Sequence, residues 1–148
     1  MSMQDSQLQE IVEAGWDERE DLKPGRFDPE LREALDEVLA RLERGDLRVA
    51  QPVESEWRVN AWVKQAILLH FRTSWNKVMH GSIRNWFDKV DLRFRDNSDA
   101  VEDCGARVVP PATVRQGAFI GKDVVLMPSY VNIGAWVGPG SMIDTWAT

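Results

Sequence analysis

Side chains able to do covalent chemistry are few in this chain, and their spacing does not combine them. Cys104 is the only cysteine, and both histidines, His70 and His80, fall outside the patterned stretch that runs from residue 108 onward. Nucleophilic catalysis needs a hydroxyl, thiol or amine beside a base, and no such pair is legible. A histidine-held metal has no ligands to use in residues 108–148, so we expect no metal. Binding of a small anion is the chemistry that remains, because a guanidinium grips a carboxylate through two parallel hydrogen bonds. Arg107 and Arg115 are the arginines of residues 107–148, and Asp144 is the only carboxylate after Asp123. Asp144 directly follows a recurrent apolar position, which makes it the acidic candidate. Arg115 is a second basic candidate, to which we assign no role.

What must hold those residues in place is a six-residue repeat. Val108, Val114 and Ile120 are six apart; after one five-residue step, Val125, Val131, Val137 and Ile143 continue at six. Four residues after each stands a small or modest side chain: Ala112, Ala118, Val124, Ser129, Ala135, Ser141 and Ala147. A strand alternates every two residues, so a period of six is neither plain strand nor helix. It fits a coil with three short flat faces, one hexapeptide on each. The branched residue points into a narrow prism, and the small residue sits near a corner. Gly121, Gly134, Gly138 and Gly140 supply permissive backbone at or near turns. A coil of about eighteen residues cannot bury its own face, so coils must stack. A β meander with a chance period is the competing reading. Trp136 and Trp146 lie off the inward register and read either as subunit-contact or ligand-wall residues, or as stray exposed side chains.

The first hundred residues read as a small helical and mixed domain. Residues 4–21 predict a helix with Leu8, Ile11, Val12 and Trp16 on one stripe, followed by a turn at LKPGRF. Asp28 caps a second helix with Pro29 at its first position, Leu31, Leu35, Val38, Leu39 and Leu42 on its apolar face, and Gly45 as its stop. Residues 47–53 and 57–59 predict short extended pieces, and Asn60 a cap for a third helix through about His70. The alternation in VDLRF suggests a strand before a turn at DNSD. Trp16, Trp57, Trp62, Trp75 and Trp86 are expected in the core of this part. The expected division is 1–100 for the helical domain, 101–107 for a linker and 108–148 for the repeats, which Pro110-Pro111 open as a stiff extended approach.

Composition sets bounds on function. The chain has 148 residues and a net charge of −6; residues 107–148 sum to +1, so residues 1–106 carry −7. An acidic first part beside a nearly neutral repeat argues against nucleic-acid binding by bulk charge. A single cysteine permits no intrachain disulfide. The start, MSMQDSQLQEIVEAG, is polar and acidic, unlike a signal peptide, and no run approaches the apolar length of a spanning helix. We expect a cytoplasmic protein with no membrane contact.

The pieces RVVPPATVRQGAF, LMPSYVNIGA and MIDTWAT, together with GDLRVAQ, WVKQAILLHFR and WFDKV in the first hundred residues, resemble the tetrahydrodipicolinate N-succinyltransferases along nearly the whole chain. That resemblance implies an α+β N-terminal domain followed by the first coils of a left-handed parallel β-helix of hexapeptide repeats, an exception to the usual right-handed crossover. It implies a homotrimer that moves succinyl from succinyl-CoA, its co-substrate, to the amino group of the acyclic form of tetrahydrodipicolinate, on the route to diaminopimelate and lysine. No tightly bound cofactor is implied. Arg107, just before VVPP, and Asp144, in MIDTWAT, match substrate-binding positions of that family. Asp144 would receive the substrate ammonium and accept its proton. A salt bridge to the acidic first part is the structural alternative for Arg107, and a turn-capping carboxylate is the alternative for Asp144.

Members of that family continue for well over a hundred further residues, which carry the remaining coils, a catalytic glutamate, much of the CoA site and a C-terminal cap. The chain is therefore expected to be an N-terminal fragment, inactive and poorly stable alone. The other readings are a different hexapeptide acyltransferase and a non-enzymatic truncated chain that binds intact subunits.

Overall fold

A computed structural model describes residues 3–81, 84–95 and 98–148. Helix α1 (Asp5–Asp17) buries Leu8 and Val12 fully. It stops four residues before the expected end: Glu18 to Asp21 turn back, and the Arg19 guanidinium lies 4.8 Å over the Trp16 ring. Helix α2 (Pro29–Arg44) follows local signals throughout. Asp28 accepts from the Glu30 N–H at 2.8 Å, Pro29 opens the helix, and Gly45 closes it at φ 82°. Strands β1 (Ala50–Val53) and β2 (Glu56–Val59) form an antiparallel hairpin. Helix α3 (Ala61–Thr73) packs against α1 and α2, burying Trp62, Val63, Ala66, Ile67 and Leu69. Asn60 precedes α3 without capping it; its amide instead donates to the Arg48 carbonyl at 2.7 Å.

A second antiparallel hairpin pairs β3 (Lys77–Met79) with β4 (Trp86–Asp88), and a short helix α4 (Ser98–Asp103) precedes the repeats. The strand expected in VDLRF is not there. Leu92 makes only an isolated bridge to Arg115, and Arg93 turns so that its backbone N–H reaches the Val114 carbonyl and its guanidinium the Ala118 carbonyl at 2.6 Å. The segment spends its donors on the side of the repeats, which leaves no ladder for a strand. Of the turn expected at DNSD, Asp96 and Asn97 lie outside the described residues, and Ser98 already begins α4. Two of the tryptophans expected in the core are on the surface: Trp57 and Trp75 are each 70% exposed, whereas Trp62 is buried.

The remaining strands are two residues each: β5 (Arg107–Val108), β6 (Thr113–Val114), β7 (Phe119–Ile120), β8 (Val125–Leu126), β9 (Tyr130–Val131), β10 (Trp136–Val137) and β11 (Met142–Ile143). Every third strand returns to the same sheet. β8 lies between β5 and β11, β9 pairs with β6, and β10 pairs with β7, all in parallel. The second residue of each strand points inward, and Val114, Ile120, Leu126, Val131 and Val137 form the core of this stack with Ala118 and Val124. The five-residue step therefore falls between Leu126 and Val131, one strand later than the spacing suggested, because Leu126 and not Val125 is fully buried. Ile143 stands over Leu126 and Val131 over Val114, so backbone hydrogen bonds such as Met127 N–H to Ile143 carbonyl, 2.9 Å, set the register.

The helical part sits on one side of the stack. Gly117 brings the turn before β7 against Leu39 of α2, and its N–H donates to the Glu43 carboxylate at 3.1 Å. Phe119 and Trp136 stack with centroids 4.9 Å apart, and the Arg48 guanidinium covers the Trp136 ring.

Candidate functional site

Arg107 and Asp144 come from the two ends of the sheet β5–β8–β11. Arg107 pairs across Val125 with the level of Met142, and Asp144 stands two residues beyond Met142. Two ladder spacings and two residues of strand put their backbones about 12 Å apart. Both side chains are exposed on the outer side of the stack, opposite to Val108 and Ile143.

Local folding explains why they face outward. Val108 and Ile143 take the inward positions, so their neighbours project from the outer face. The Arg107 N–H is held by the Val124 carbonyl at 2.8 Å. Arg107 forms no ion pair among the described residues. Asp144 accepts the Thr145 N–H at 2.7 Å, which fixes the carboxylate at the turn after β11 and leaves its other oxygen available.

Arg115 is engaged elsewhere. Its guanidinium pairs with Asp88 of β4, donates to Asn132 at 3.2 Å and lies 5.2 Å from the Phe71 ring. It fastens the second hairpin and α3 to the stack. Trp136 is an internal contact, sandwiched between Phe119 and Arg48, whereas Trp146 is 77% exposed beside Asp144.

Two further groups were silent in the sequence. The Arg93 guanidinium is largely enclosed; burial lowers its pKa, and Glu43, 3.9 Å away, works in the opposite sense. His70 is buried at the end of α3. Nothing in DLRFRD or LLHFR marks either residue, because each acquires its partners from elements distant in the chain. Among the described residues, no three His, Cys, Asp or Glu side chains cluster as a metal site would require, and no helix is long and apolar enough to cross a membrane.

Sequence comparison places known proteins beside this geometry. Residues 7–73 match the family described as tetrahydrodipicolinate N-succinyltransferase N-terminal. The chain is 45% identical over 142 residues to the 2,3,4,5-tetrahydropyridine-2,6-dicarboxylate N-succinyltransferase of Sodalis glossinidius, covering 95% of this chain and 52% of that protein. It is 48% identical over 141 residues to the enzyme of that name from Idiomarina loihiensis, covering 95% and 51%. The enzyme of that name from Polynucleobacter asymbioticus is 48% identical over 143 residues, covering 95% and 52%. The chain thus spans about half the length of the curated relatives it matches.

Proposed function

We propose that the chain belongs to the tetrahydrodipicolinate N-succinyltransferase family, whose N-terminal model matches residues 7–73, and that it supplies the amine-substrate side of a succinyl transfer from succinyl-CoA to tetrahydrodipicolinate. The observation that carries this reading is identity of 45 to 48% to three enzymes of one name across 95% of the chain. The return of every third strand to the same sheet supports reading the stack as the first coils of a left-handed β-helix of hexapeptide repeats, and residues 1–100 as a separate unit joined through 101–107. A homotrimer in the cytoplasm, with no tightly held cofactor, completes the proposal.

In this mechanism Arg107 grips one substrate carboxylate and Asp144 receives the substrate ammonium. Asp144 takes a proton, the free amine nitrogen attacks the thioester carbonyl carbon, and a tetrahedral oxyanion forms. Its collapse makes the amide and breaks the carbon–sulfur bond; the second nitrogen proton passes to the departing sulfur, so CoA leaves as thiol, and Asp144 gives its proton to solvent. No enzyme acyl intermediate is required.

A chimera tests this. The chain replaces the aligned half of the Idiomarina relative, and CoA thiol release is followed with succinyl-CoA and tetrahydrodipicolinate. We expect succinyl transfer with a strong preference over acetyl-CoA, loss of turnover by about a hundredfold or more in Asp144→Asn, and a raised KM for the dicarboxylate in Arg107→Lys. A folded chimera without transfer would overturn the activity, and unchanged kinetics in either variant would overturn that residue's role.

A further inference from the structure

A polar cavity lined by neither Arg107 nor Asp144 lies where the helical part meets the stack. It has a volume of about 450 Å³, and its walls come from α2, the end of α3, the segment around β3 and β4, and Gln116 in the turn after β6. Four distant stretches of chain converge on it, and none of its residues serves the succinyl-transfer reading.

The charges in its wall are unevenly satisfied. Lys77 and Asp91 pair at 2.5 Å and neutralise each other. Arg32 and Asp36 are four residues apart on one face of α2, the spacing at which opposite charges meet, yet they do not pair. Arg32 turns to the Thr73 carbonyl at 3.3 Å and over the Phe27 ring at 4.6 Å. Lys89 donates to the Phe71 carbonyl at 2.8 Å. Those two carbonyls end α3, so capping a helix C-terminus accounts for one donor of each cation. An arginine has five N–H donors and a lysine three, so most remain unused. Asp36, Arg32 and Lys89 form no ion pairs among the described residues. His70, 8% exposed, forms part of the same wall. Burial keeps its imidazole uncharged near neutral pH, so it adds no third free cation.

We propose that this cavity binds a small amino acid carrying two carboxylates, with Arg32 and Lys89 holding the carboxylates and Asp36 the ammonium. Two cations without ion pairs and one such carboxylate are complementary to that charge pattern, and the hydrogen bonds that hold the heads of Arg32 and Lys89 lower the ordering cost of binding. Such a ligand would bridge α2 and the segment after β4, and so would tighten the second hairpin onto the helical part. The inference goes beyond the succinyl-transfer reading and does not depend on it.

The test is amide chemical-shift mapping of the chain carrying Arg107→Lys and Asp144→Asn, so that signals from the other site do not contribute. The probes are L-glutamate and, as a dicarboxylate without an ammonium, succinate. We expect glutamate to shift Ser74 and Gln116 saturably, succinate to bind about tenfold more weakly, and Asp36→Asn to reduce glutamate to the level of succinate. Lys89→Gln should weaken both probes about tenfold. Absence of glutamate-induced shifts at Ser74 and Gln116, in a double variant whose dispersed amide spectrum shows it folded, would overturn the proposal. Equal binding of the two probes to the parent would overturn the role of Asp36.

Discussion

At the residue scale, the side chain with the plainest consequence is His70. Burial is the main cause that pushes its pKa below the ordinary histidine value; Asp36 and Asp91 act to raise it, and Arg32 and Lys77 to lower it. A depressed pKa in the folded state means that the unfolded chain binds the proton more readily. The contribution to stability is therefore complete above the unfolded value, about 6.5, and is lost as pH falls through the folded value. We expect the Tm to decline from pH 7 downward through pH 5.5, with a smaller decline in His70→Gln; identical slopes would assign the effect to another group. The candidate site was only partly legible at this scale. The motifs RVVPP and MIDTWAT single out Arg107 and Asp144, but nothing local says that they share one sheet. Arg115 shows the converse: a promising cation in a promising segment is consumed by Asp88, a partner twenty-seven positions away.

Elements divide into those whose signals are local and those settled by neighbours. The limits of α2 were readable because Asp28, Pro29 and Gly45 each act within one turn of the helix end. The place of the five-residue step was not, because Val124, Val125 and Leu126 are three apolar residues in a row, and any of them could point inward by character alone. Only the ladder, with Leu126 between Val108 and Ile143, chooses. Leu126→Ala should therefore cost about 3 kcal/mol in urea unfolding, and Val125→Ala less than half of that; the reverse order would return the step to its expected place. Gly117 has φ 80°, and an added Cβ would lie 2.7 Å from Leu39. The leucine tip can yield, but the backbone cannot, so Gly117→Ala should lose about 1 to 2 kcal/mol, measured the same way.

At the scale of the whole molecule, two cores meet through contacts that include Leu39 on Gly117, Glu43 on the Gly117 N–H, Ile67 on Gly134, Arg115 on Asp88, and Arg48 over Trp136 stacked on Phe119. Trp136→Ala removes the middle layer of that stack. We expect a loss of about 2 kcal/mol, with hydrogen-exchange protection falling in both α2 and β7; unaffected exchange in α2 would show that the Trp136 stack does not couple α2 to β7. The amino-acid sequence by itself determined the repeat and the helix caps, because period, Asp-Pro starts and glycine stops are properties of neighbouring residues. Tertiary structure alone decided which valine or leucine faces inward, that Trp57 and Trp75 lie on the surface while Trp136 is enclosed, and that Asp36, Arg32 and Lys89 border one cavity. Those outcomes depend on contacts between segments tens of residues apart, and such contacts are chosen by the packing and hydrogen bonding of the whole chain, not by any short stretch of it.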